Sequence, residues 1–378
     1  MRYKIALLFI INLLTSIAVG AQEDAPVCTV LDTAGDDSFV ANQVDIYAGG
    51  IVSSSSDGVY VHPFDQDERV TVSQDGNSRF IQATGTAERV LAADGDGVYV
   101  YEPNGDMWEP AATLIEPDLP PDQMYGFTLA LIGDTVIVGA PYDFLQSQGD
   151  GDVFIYERDD AGDWTRTSVL SDADDEPDNF GVMLDTTIID DTPYLMVGSR
   201  FVGTYLYRQS TDGAWEQITQ PEGTAGVSID GETAVTLTYP ADPASGDPIT
   251  VLVYDRMTAS DSATESWTQS AEIDPSAVLA LPMQIALGGD VLVLSGQDAM
   301  GPDAQNIVIV YQREDDAWSQ ITTLTSADAG GLFGESIATD GETIIMTMSA
   351  SGSASGAIYR TTVAQLRDHT PDDPIVCQ

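Results

Sequence analysis

Four side chains in this sequence carry thiol or imidazole chemistry: Cys28, Cys377, His62 and His369. The histidines lie far apart, and neither sits beside a carboxylate in a recognisable pairing motif. Two cysteines are too few for a thiolate metal site. The nucleophile elbow GxSxG, the zinc motif HExxH, a phosphate-binding GxxxxGK and the dinucleotide fingerprint are all missing. Carboxylates are abundant, at 61 Asp and Glu. Glycoside hydrolysis needs two of them flanking one bond, but among so many acids, closeness in sequence says nothing about such a pair. A calcium loop needs roughly six to eight oxygens from closely spaced groups. The stretches GDGD (149–152), DGDG (94–97) and DADDEPD (172–178) supply only part of such a set and read as solvated loops. The expectation is therefore no catalytic residue, no cofactor and no metal, with Ca²⁺ the one ion the acidic loops leave open.

The bulk composition narrows the function classes. The chain has 378 residues, 43% of them hydrophobic, enough for one large all-β domain with a sizeable core. Its formal net charge is −48 and Lys4 is its only lysine. Such a surface repels nucleic acid and anionic lipid headgroups. The acids are spread along the chain, as in a solvating shell, rather than gathered into a patch for a cationic ligand. At the N-terminus, Arg2 and Lys4 precede an apolar run over 5–19 and a small-residue triplet VGA ending at Ala21. This reads as a signal peptide over 1–21, shorter than the roughly 20 apolar residues a spanning helix needs. A retained signal anchor is the other reading. No later stretch is long and apolar enough to span a membrane, and Cys28 follows no lipobox.

The scaffold that must position these residues shows itself as a repeat. Trp108, Trp164, Trp215, Trp267 and Trp318 are spaced by 56, 51, 52 and 51 residues. Each follows a turn-like stretch and opens a short strand-like run. Tyr101, Tyr156, Tyr207, Tyr254 and Tyr311 precede them at the ends of alternating apolar runs such as VFIY and IVIVY. Tyr60 in GVYVHP and Tyr359 in GAIYRTT extend the series to seven units. A period near fifty, with four short strands per unit, predicts a seven-bladed β-propeller. In the third unit the strands read YGFTLALIG, TVIVGAP, DVFIYER and WTRTSVL, lettered a to d. The aromatic residues are expected to pack between blades, since a residue recurring in every blade follows the fold rather than a site. No linker splits the chain, so one propeller domain is expected over 27–378.

The stretches YGFTLALIGDTVIVGAP (125–141), NFG (179–181) and LFGESIATDGETIIM (332–346) resemble the FG-GAP repeat family, whose best-known members form the seven-bladed propeller of integrin α chains. The likeness is greatest to the exported bacterial type. It implies a binding propeller at cell surfaces, with no family-wide catalysis and no specific ligand. The calcium loop common in integrin-type blades is absent here, because the a–b turns shrink to GDT or DGET.

Two expectations follow. Ahead of the first blade, TVLDTAGDDSF (29–39) aligns with TTLTSADAGGLF (322–333), a strand d and the link after it. The seventh unit lacks a Trp and a strand d of its own. Residues 27–31 should therefore complete blade seven and close the ring, with Cys28 and Cys377 paired as a disulfide; two free or intermolecular thiols are the alternative. The function expected is an exported, non-catalytic binding or adhesion scaffold, a monomer whose partner is a protein or glycan at the cell surface. The alternative is a carbohydrate-active or other hydrolytic propeller, which would show carboxylates or a histidine converging at the channel mouth.

Overall fold

The computed structural model of the protein describes residues 27–377, apart from 34–42, 56–57, 67, 74–81, 143–148, 172–178, 201–202, 224–225, 240–247, 259–264, 302, 328–330, 350–355 and 368–373. The signal-like segment, Lys4 and His369 lie outside the described residues, as do parts of the loops at 143–148, 172–178 and 240–247.

Blade three shows how one unit forms. Its strands a to d are Thr128–Ile132, Thr135–Ala140, Asp152–Arg158 and Trp164–Leu170, paired antiparallel in that order from the centre outward. Strand b, TVIVGA, is buried at every position, because both faces of the blade are covered by neighbours. The a–b hairpin turns on Gly133 at φ 58°, a left-handed backbone that glycine adopts without a Cβ clash. In blade four the same turn is made by Asp190 and Asp191, at φ 51° and 61°. Seven sheets of this kind make the ring.

The apolar core is seven separate clusters, each filling one joint between successive blades. Leu91, Val98 and Val100 of blade two, for example, pack against Val136, Val138, Phe154 and Tyr156 of blade three. Every tyrosine of the series is buried, from Tyr60 to Tyr359. In every blade the pairing of strands c and d slips by one residue at that tyrosine. Such a bulge increases the local twist where the outer strand must wrap. Each Trp lies two residues before the strand d residue opposite its tyrosine, as Trp164 lies before Arg166, the partner of Tyr156. A polar rule runs beside the aromatic one. The residue two after a tyrosine reaches back to the residue one after the tyrosine of the preceding blade. Arg158 thus meets Glu102 at 2.8 Å, Gln209 meets Glu157 at 2.9 Å and Arg313 meets Asp255 at 2.9 Å. In blade four the acceptor position holds Arg208, so Arg256 turns to Asp190 and Glu232 instead.

The two end blades depart from the rule. Strand b of blade three places Val136 opposite Tyr156, one pair from the a–b turn. In blade one that level belongs to His62, opposite Ile51, and in blade seven to Thr361, opposite Ile344. Tyr60 and Tyr359 sit two residues earlier, level with Tyr99 and Phe154. They mark the bulge as expected, but displaced along the strand. The tryptophan position, two residues before the partner of the tyrosine, is taken by Arg69 in blade one and Cys28 in blade seven. Arg69 stacks on Tyr60 with its guanidinium 4.0 Å from the ring centre.

Ring closure follows the sequence reading, with one addition. The N-terminal strand, Thr29–Thr33, is strand d of blade seven and pairs antiparallel with Ala357–Thr362. Cys28, just before it, is bonded to Cys377 across a sequence separation of 349 residues. Cys377 is not part of blade seven. It ends a short strand, Ile375–Cys377, which adds in parallel to the outer edge of blade six against Leu324 to Ser326. The disulfide therefore ties the outer strands of blades six and seven at the position where other blades place a Trp. The joint it covers is the largest apolar cluster of the ring.

Chain-entropy arithmetic for so long a closed loop gives at most about 5–6 kcal/mol. Cys377→Ser, or reduction, should lower the melting temperature. It should also expose the amides of Ile375–Cys377 and Thr29–Thr33 to hydrogen exchange before those of other strands. Uniform exchange across all blades in the serine variant would contradict this role for the bond.

Candidate functional site

The seven inner strands enclose a channel of about 950 Å³ along the ring axis. Register matches one position across them: Asp45, Thr84, Ala130, Asp185, Ser228, Ala286 and Ala338, in blades one to seven. Inner strands of neighbouring blades share no sheet bonds, so their backbone groups need other partners. The side chains at this position supply them. Asp185 accepts from Ser228 Oγ at 2.7 Å and from the Ile229 amide at 2.9 Å, both in blade five. Ser228 Oγ in turn accepts from the Leu287 amide of blade six at 3.0 Å. Asp45 is held in the same way by Thr84 Oγ1 and the Gly85 amide of blade two. Elsewhere in the channel wall the Val44 amide donates to Ser336 Oγ at 3.1 Å, and the Gly289 amide to Asp230 at 2.6 Å.

Enclosure raises the pKa of both wall carboxyls by penalising their charged form. Asp185 is pushed up to about 6 by burial. Its bonds from Ser228, Ile229 and Thr186 pull the other way, and the negative charge of Asp45 adds to the rise. Each group thus rivets one blade to the next. Asp185 is thus a carboxyl that changes protonation in mildly acid solution, and the Asp45 pKa is raised by the same enclosure. Sequence reasoning missed this pair. The available signal was a lone Asp inside an otherwise strand-like apolar run, QVDIY at 43–47 and MLDTTII at 183–189.

The residues singled out from sequence do not converge on the channel. His62 is buried and bonded through Nε2 to Ser53 Oγ at 2.9 Å. Burial lowers its pKa to about 4, with Asp32 opposing that fall and Arg69 adding to it. Asp94 of the DGDG loop accepts from its own turn, the amides of Asp96 and Gly97, and from Tyr99 Oη at 3.1 Å. Asp152 of GDGD accepts from Gln123 Nε2 at 2.7 Å and from Ser171 Oγ. The DADDEPD stretch lies outside the described residues. Among the described residues, no group of three or more His, Cys, Asp or Glu side chains is placed to hold a metal ion, and no helix is long and apolar enough to cross a membrane.

The antiparallel blades put the a–b and c–d turns on one face of the disc and the b–c and d–a loops on the other. The strand ends joined by the long connections 115–127, 141–151, 171–182 and 239–249 all lie at the second face. One of them is stapled down. Tyr125 Oη donates to Tyr156 Oη at 2.8 Å, which donates to Glu116 at 2.5 Å, and Arg166 closes the set by pairing with Glu116. Burial and the neighbouring Glu116 push the Tyr156 hydroxyl well above the usual tyrosine range, so it stays a proton donor. Met283 and Met300 are exposed on this face, the latter at 74%.

No family model matches the chain. Integrin alpha-7 of Rattus norvegicus is 32% identical to it over 181 residues, which is 42% of this chain and 15% of that protein. Integrin alpha-7 of Homo sapiens is 31% identical over the same length and shares. The chain thus spans 15% of the length of the curated relatives it matches. A protein from Lactobacillus plantarum with a crystal structure superposes with a TM-score of 0.50 at 15% identity, covering 75% of this chain and 84% of that one; this likeness concerns the fold alone. The chain is a seven-bladed β-propeller with integrin-α-like sequence in part of its ring.

The wall carboxyls make a testable difference to stability. The folded-state pKa of Asp185 lies above its ordinary value of 3.8. Its stabilising effect is therefore full below about pH 4 and is lost as pH rises through about 6. Urea unfolding from pH 4 to 8 should show the wild type losing ground against Asp185→Asn across that window. Asp185→Ala orphans the Ile229 amide and should cost about 1–3 kcal/mol at any pH in the range.

Proposed function

We propose that this protein is an exported, non-catalytic binding scaffold, acting at or outside the cell envelope on a protein or glycan through its b–c and d–a loop face. One observation carries the reading. The repeated aromatic, arginine and channel-wall residues are taken up by blade-to-blade joints, whereas the strand ends that carry the unrepeated, longer connections lie at one face. The likeness to integrin alpha-7 supports a binding-type propeller. The Cys28–Cys377 bond suits an oxidising, extracytoplasmic compartment, and the leader-like N-terminus supplies the export route. The net charge of −48 turns nucleic acid away. The second reading, a hydrolytic propeller, draws on Asp45 and Asp185 in the channel, where a glycosidase would keep its carboxyls.

Arrays of glycans and of envelope proteins, probed with the purified protein, test the first reading against the second. Replacing 141–151 or 239–249 with a short Gly-Ser turn should weaken the captured interaction by about tenfold or more, with an unchanged melting temperature. Binding that ignores both replacements overturns the face assignment. Hydrolysis of a glycan or ester that disappears in Asp45→Asn or Asp185→Asn overturns the non-catalytic reading. N-terminal sequencing of the native protein should begin near Gln22; intact Met1 in a cytosolic pool would rule out export.

A further inference from the structure

The joint between blade seven and blade one differs from the other six. Among the described residues its apolar cluster has five buried members, Val44, Ile51, Ala338, Ile345 and Ile358, against at least eight in each of the others. The tyrosine level that seals the joints of blades two to six against the preceding blade is held here by His62, with Ser53 beside it where blade three has Val138. Charged groups gather around the same joint. Asp32 comes from the N-terminal strand of blade seven and is paired with Arg69 of blade one. Arg360, from strand c of blade seven, stacks on Phe64 of blade one with its guanidinium 4.3 Å from the ring centre. The charges that bear on His62 are Asp32, which favours an imidazolium, and Arg69, which opposes it.

We propose that this joint is an acid-release seam: protonation of the buried His62 loosens blade seven from blade one and opens the ring there first. A neutral imidazole fits the site because Ser53 Oγ satisfies Nε2 inside an otherwise apolar and cationic corner. An imidazolium would be a buried charge with its nearest carboxylate, Asp32, already paired to Arg69. Opening to solvent removes that penalty. The tyrosines at this level in blades two to six, and Thr361 in blade seven, stay uncharged through the acid range, so no imidazole trigger stands at those joints. The disulfide does not guard the seam, because it joins blades six and seven.

The sign follows from linkage. The folded pKa of His62 is about 4 against an ordinary value of 6.5, so its contribution to the closed seam is full above about 6.5 and is lost progressively as pH falls through about 4. Opening should become roughly 20-fold more favourable at pH 5 than at neutral pH. The Val44 amide, bonded across the seam to Ser336 Oγ, is the reporter. In hydrogen exchange from pH 7 to 5, after correction for intrinsic rates, Val44 and Thr29–Thr33 should lose protection well before the strands of blades three to five. His62→Tyr restores the residue of the other joints and should abolish that selective loss. His62→Gln, which keeps a bond to Ser53 without titrating, is the second variant if tyrosine is not accommodated. Selective seam opening that persists in these variants, or acid-induced loss spread evenly over all blades, overturns the proposal.

Discussion

Every blade of this ring must have both its faces covered, and the structure depends on that constraint. A four-stranded sheet standing alone exposes two apolar surfaces. Here strand b is buried at every position in blades one, two, three and seven only because a neighbour lies on each side. The joints, not the sheets, are thus the units of the hydrophobic core. Sequence repetition is the consequence, since each face of each unit must fit the next unit by the same geometry. The tyrosine at the c–d bulge and the tryptophan diagonal to it are the residues on which that fit is repeated.

Closure breaks the repetition, and the departures concentrate where the ends meet. Blade seven borrows its outer strand from the N-terminus. A tryptophan position then falls on Cys28, and a covalent bond to the strap on blade six replaces aromatic packing. On the other side of blade seven the apolar cluster is smaller among the described residues, with His62 where a tyrosine would stand. One end blade therefore has, among the described residues, the largest apolar cluster and a disulfide on one side and the smallest apolar cluster on the other.

The architecture was legible because its signal is redundant. Strands b, c and d of blade three match the runs read from sequence almost to the residue, and the orphan strand, read at 27–31 and found at 29–33, announced itself by its likeness to other d strands. Finer register was less legible. Aligning DGVYVHP (57–63) with DGVYVYE (96–102) puts His62, not Tyr60, on Tyr101, but a strand that contains a tyrosine satisfies the repeat either way. The register of strands b and c decides between them, and that depends on hairpin geometry rather than composition. The strap at Ile375–Cys377 was invisible because three residues carry no period. Asp45 and Asp185 were lost among 61 acids, as a lone Asp in a strand-like run stands out only once that run is known to be an inner strand.

Charge placement completes the physical account. A chain with 13 basic and 61 acidic residues repels itself, and repulsion favours any opening of the ring. The scarce cations stand where opening would begin. Among the described residues, Arg69, Arg89, Arg158, Arg166, Arg208, Arg256 and Arg313 all pair with a carboxylate in a neighbouring blade or in the connection between blades. Exposed pairs of this kind are individually weak and are screened by salt. Salt, however, screens the far more numerous acid–acid contacts as well, so added salt relaxes the strain that the arginines oppose. The same reasoning separates the two buried titrating groups. Lowering the pH neutralises Asp185 and relieves one repulsive wall of the channel, while it charges His62 and stresses the seam. Mild acid thus tightens the ring from the inside and loosens it at one joint, and the closed propeller depends on which of the two changes dominates.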